Sequence, residues 1–117
     1  METNRGRTEK YPKIRFDYQS FEYDHLYYAG TISHSIDFRK SSGGFIHGFR
    51  YTIRALHRIF EYRYHKRKWP SISLSWYSLT NYLIKRMNEA DGAYQMFGQL
   101  VDVILIDRFV NFSYVNF

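Results

Sequence analysis

Three groups of residues have the types and spacing that chemistry asks for. Gly43 and Gly44, with Gly48 shortly after, stand where a polar run ends and apolar residues begin to recur at helical spacing. A helix that begins there gathers unpaired backbone N–H groups and the positive end of its macrodipole at one point, which favours negative charge or an electron-rich ring. Lacking a Cβ, the glycines let a flat ring approach, or equally let the helix pack tightly against its own chain. His57, Glu61 and His65 fall four apart on that helix and have the geometry of a metal pair. Arg58, Arg63, Lys66, Arg67 and Lys68 around them would repel a dication, so no metal site is expected. The run Arg63–Lys68, interleaved with Tyr62, Tyr64 and Trp69, offers phosphate contacts and stacking to a nucleic acid. His34 and His47 flank the glycine pair, but no residue in the chain carries the marks of a catalytic acid or base.

The elements that must position these groups follow from periodicity. Ile46, Phe49, Ile53, Leu56 and Phe60 recur at three and four, which predicts one apolar stripe on a long helix. His47, Arg50, Arg54, His57, Arg58 and Glu61 occupy the other face, solvated or turned toward an anionic ligand. Trp69-Pro70 is expected to break the helix. Before it, Leu26, Tyr27, Tyr28 and Ala29, closed by Gly30, read as a strand buried on both faces, and Thr31 to Ser42 as a polar loop. Lys13 to Tyr18 alternates, predicting a half-buried strand with Ile14, Phe16 and Tyr18 on one side. After Trp69, Ser71 to Ser75 reads as a connector. A second helix runs from about Trp76 to Ala90, with Trp76, Leu79, Leu83 and Met87 as its stripe and Asp91-Gly92 as a left-handed stop. Gln99 to Ile106 favours a strand, with a helix as the alternative, and Asp102 within it must face solvent or find a partner.

With 117 residues the chain has one domain's worth of sequence, too little for a two-domain enzyme. Its net charge of +6 is concentrated in Arg63–Lys68 and in Arg5, Arg7 and Lys10. The absence of cysteine excludes a disulfide, a thiolate metal site or a redox dithiol within this chain. The polar run Met1 to Lys10 does not read as a signal peptide, and no apolar run approaches the length expected of a membrane-spanning helix. One glycosylation sequon occurs, Asn111-Phe-Ser113. The 12 tyrosines and 10 phenylalanines promise large buried areas, part of which a detached segment would expose.

Leu26-Tyr-Tyr-Ala-Gly-Thr31 followed by a helix resembles the last FAD-contacting segment of flavoproteins with two dinucleotide-binding domains. The string from Tyr27 to Leu56, together with Trp69-Pro70, Arg86-Met-Asn-Glu-Ala90 and Tyr94-Gln-Met-Phe97, is similar to an endoplasmic-reticulum branch of those flavoproteins, and the similarity runs from about Tyr11 to Ile106. The resemblance implies a partial α/β fold: a C-terminal piece with short strands, a long amphipathic helix and a second helix. Residues 1–10 would be a disordered tail, 11–68 the closing strand, loop and helix of the FAD-binding domain, and 69–117 a helix and strand extension. No Gly-x-Gly-x-x-Gly turn is present, so the pyrophosphate cradle would lie in a missing N-terminal FAD/NAD(P)-binding region, the segment's main partner.

On this resemblance Gly30, Thr31 and Asp37 would contact the ring or ribityl chain, and the backbone at Gly43, Gly44, Phe45 and Ile46 would face the flavin. Thr31 stands where the family places an acidic residue. The resemblance further implies an oxidoreductase parent in the endoplasmic-reticulum lumen, linked to ER-associated degradation and its quality-control proteins, with no nucleic-acid partner. The segment by itself would be inactive and would hold FAD weakly or not at all. The competing reading is a small basic, aromatic-rich nucleic-acid-binding or interaction module.

Overall fold

Helix α1, Ile46–His65, is the longest element and packs against the 3-10 helix Gly30–Asp37 before it. The computed structural model describes residues 9–37 and 40–106, and the backbone of 111–116; residues 1–8 of the tail read at 1–10, and Phe38 and Arg39 of the polar loop, lie outside these. After α1 come β1 (Ser71–Ser75), α2 (Trp76–Glu89), a single-turn α3 (Asp91–Gln95), β2 (Asp102–Ile106) and β3 (Asn111–Asn116). The three strands form one antiparallel sheet in the order β1-β3-β2, with Ile72 and Ile104 both opposite Tyr114. The architecture is thus mixed α/β and partial, as the sequence implied.

α1 buries only part of the stripe that hydrophobicity selects, Leu56 fully and Phe49 and Phe60 in part. Gly48, Thr52, Ala55 and Leu56 are buried, whereas Ile46 is 74% exposed and Ile53 also faces outward. Small side chains let neighbouring backbone come close, and close approach decides the face here. A Cβ on Gly48 would lie 1.9 Å from the carbonyl oxygen of Ser42, so only glycine admits the incoming chain. The helix stops at Lys66, whose left-handed φ of 57° closes it three residues ahead of the Trp69-Pro70 pair expected to break it.

Upstream of α1 the two expected strands are replaced by turns. Tyr18 N–H donates to the carbonyl of Arg15, and Tyr18 has a φ of 66°, so the chain reverses in the middle of the alternating run. Phe16 consequently stands 85% exposed while Tyr18 is buried. Leu26 to Ala29 contributes a single bridge, Tyr27 to Gln19, and Leu26 is exposed. The polar loop from Thr31 is a 3-10 helix over most of its length, Gly30–Asp37. Gly30 enters it at a φ of 75°, and the Ser33 hydroxyl donates to the Gly30 carbonyl at 2.7 Å.

Downstream, Ser71–Ser75 is not a connector, since it pairs along its length with β3. Asp91-Gly92 does not stop α2 in a left-handed turn: Ala90 breaks the helix and the chain resumes at once as α3, with Gly92 packed under the Tyr51 ring. Tyr18, Ala55, Leu56, Met96 and Leu100 form the core, with Tyr27, Ile36, Tyr51, Ile59 and Phe60 around it. The corner after α3, through Met96 and Leu100, therefore locks onto α1 from the far end of the sequence.

Candidate functional site

Where the 3-10 helix meets the start of α1, three polar side chains converge on one carboxylate. Side chains three apart eclipse in a 3-10 helix, which brings His34 beside Asp37 with Nδ1 3.4 Å from Oδ1. Both side chains are buried. Asp37 also accepts hydrogen bonds from the Ser41 hydroxyl and the Gln99 amide. The Ser41 oxygen in turn accepts the Gly43 N–H at 3.3 Å and lies 3.8 Å from the Met96 sulfur. Burial pushes the Asp37 carboxyl above its usual range, and the bond from Gln99 and the nearness of His34 offset only part of this. Burial, helped by the Asp37 charge, likewise pushes the Tyr18 phenol well up.

The expected site residues divide between the two sides of this cluster. Asp37 and Gly43 lie inside it: a Cβ on Gly43 would be 2.9 Å from His34 Nδ1 and 3.2 Å from the Met96 methyl. Gly44 is half-buried against the His34 ring. Thr31, Phe45 and Ile46 are exposed, and Gly30 is half-buried at the head of the 3-10 helix. Gly43 is therefore closed over by side chains, while Gly44 stays partly open beside the His34 ring. The start of α1 nonetheless has neither a side-chain cap nor an acidic residue in its first turn. Its outward edge keeps the positive end of the helix, while the interior edge is a packing joint.

Sequence reasoning missed Ser41 as a linchpin, and Met96 and Gln99 altogether. Gln99 is 62 residues from Asp37, and no local pattern announces a contact at that separation. The only signal was Asp37 itself, a carboxylate that needs donors if it is buried.

The basic run at the end of α1 is partly neutralised. Arg63 donates to Asp17 and, at 3.1 Å, to the Tyr27 hydroxyl, and Arg67 pairs with Glu61 at 2.7 Å. Glu61, the middle member of the possible metal trio, thus carries an arginine, with His57 Nδ1 at 3.7 Å.

Among the described residues, the chain is a partial α/β unit in which a buried polar cluster locks a helix end, an arrangement consistent with a segment of a larger protein. The comparisons agree: the relatives it matches are FAD-dependent oxidoreductase domain-containing proteins, and the chain is a homologue of one segment of them. It is 52% identical over 99 residues to FAD-dependent oxidoreductase domain-containing protein 2 of Mus musculus, covering 85% of this chain and 15% of the relative. To the protein of the same name from Danio rerio it is 44% identical over 101 residues, covering 86% of this chain and 15% of the relative. The chain therefore spans roughly a seventh of the length of these relatives. No family model and no solved structure matches it.

Proposed function

We propose that this chain is a segment of an FAD-dependent oxidoreductase and supplies the 3-10 helix and the start of α1 to the wall of its flavin site. The observation that carries the reading is the 52% identity sustained over 85% of the chain. FAD, when bound, supplies electron transfer in the parent protein. The residues divide in their fit to it. Asp37 and Gly43 do not fit a ring or ribityl contact, because their polar atoms and open space are taken up internally. Their work is to hold the joint in one geometry. Gly30, Thr31, Gly44, Phe45 and Ile46 reach or approach the surface, and an uncapped helix start there would favour the electron-rich edge of a flavin.

On this reading the larger part of the cofactor's hold comes from sequence outside the matched segment. Titrated with FAD, the isolated chain should leave flavin fluorescence unquenched through the low-micromolar range. Submicromolar binding by these residues alone would overturn the reading. The parent would work in the endoplasmic-reticulum lumen beside quality-control proteins, and glycosidase-sensitive mobility that depends on Asn111 would check that setting.

A further inference from the structure

On the flank of α1 away from the glycine joint, Arg50, Arg54 and Arg58 stand at successive four-residue steps and line a cleft of about 420 Å³. Steps of four place their Cβ atoms about 6 Å apart along one helix face. The far wall of the cleft is the α2–α3 corner, and its floor is apolar, made by Ala55, Ala90 and Leu100, all buried. Arg50 is turned onto the Tyr51 ring. Among the described residues, no carboxylate lies within ion-pair range of Arg50, Arg54 or Arg58. The fourth arginine in the cleft, Arg86, is already held by Asp102. Glu89 and Asp91 on the far wall oppose an anion, so an occupant would be held by the excess of arginines on the α1 wall and would keep its charge near that wall.

We propose that this cleft binds a small organic phosphate. Arg54 and Arg58 bridge the phosphate oxygens in the bidentate manner to which guanidinium is suited, and the apolar body of the ligand lies over Ala55 and Leu100. The volume is in the range of small-molecule sites. The site is more than one turn beyond the exposed edge at Phe45 and Ile46, so it stands whether or not that edge faces a flavin.

The test is calorimetric titration of the full chain at low salt with adenosine monophosphate, adenosine and inorganic phosphate. Adenosine monophosphate should bind at one site, inorganic phosphate should compete with it, and adenosine should not bind. Arg54→Gln and Arg58→Gln should each weaken binding by about tenfold or more with an unchanged circular dichroism spectrum, and Arg54→Lys should weaken it less. Arg63→Gln, in the other basic stretch, should leave it unchanged. Equal binding of the nucleotide and nucleoside, an equal loss in Arg63→Gln, or no binding at about 5 mM ligand would overturn the proposal.

Discussion

Asp37 is the residue whose state most affects the joint. Its raised pKa means that the folded chain holds the carboxyl proton more tightly than the unfolded chain does. The sign follows by linkage: the stability that this group contributes is complete below the ordinary value of 3.8 and declines as pH climbs through the raised folded value. Asp37→Asn removes the titration. The difference in melting temperature between the wild-type chain and this variant should therefore be largest near pH 3 and shrink toward neutrality. Measured melting curves in which the wild type gains on the variant as pH rises would show instead that the ionised carboxylate is the stabilising form. Asp17, on the surface, behaves in the opposite sense. Burial raises its pKa, but the bonds from Arg63 and the Gln19 backbone outweigh this and leave it lowered, so its contribution is lost on acidification.

Between elements, one side-chain pair joins α2 to β2. Arg86 donates through Nε to Asp102 at 3.0 Å and through a terminal nitrogen at 3.2 Å, with both side chains mostly shielded. Arg86→Met leaves a half-buried carboxylate without this partner and should lower stability by about 1–3 kcal/mol in urea titrations. A loss below about 0.5 kcal/mol would mark the pair as an ordinary solvated one. Asp102 is also an instance of what could be read before the fold was known. A carboxylate in an apolar run must be exposed or partnered, and it is partnered. The two long helices were legible from a local period, and the strand at Asp102–Ile106, within the expected Gln99 to Ile106, from its β-branched run. The face that α1 buries was legible only in part, at Leu56 and Phe60, because size and close approach at Gly48, Thr52 and Ala55 turn Ile46 and Ile53 outward. Not legible was β1, whose five residues become a strand only because β3 lies beside them. The carboxylate cluster escaped for a similar reason, being assembled by Gln99 and Met96 from the opposite end of the chain.

Taken whole, the molecule leaves much apolar surface uncovered. Trp76 is 61% and Tyr77 90% exposed, and the α2 stripe is completed by the exposed Met87. A radius of gyration of 16.3 Å exceeds the roughly 13 Å typical of a compact chain near this length. Such surface, in a chain spanning a small fraction of its relatives, is suited to further packing. In isolation the chain should self-associate at tens of micromolar, as read by sedimentation velocity, and Trp76→Glu with Met87→Glu should return it to the monomer. A wild-type chain that stays monomeric would show the α2 face to be tolerated in water. The strand order has a separate bearing on biosynthesis. Because β1 and β2 each pair only with β3, neither can acquire its neighbour until residues 111–116 have cleared the ribosomal exit tunnel. The helical half can assemble while translation is still under way. A stop codon only a few positions before Asn111 would thus leave two orphaned edges, the form in which a nascent polypeptide is most readily drawn into aggregates.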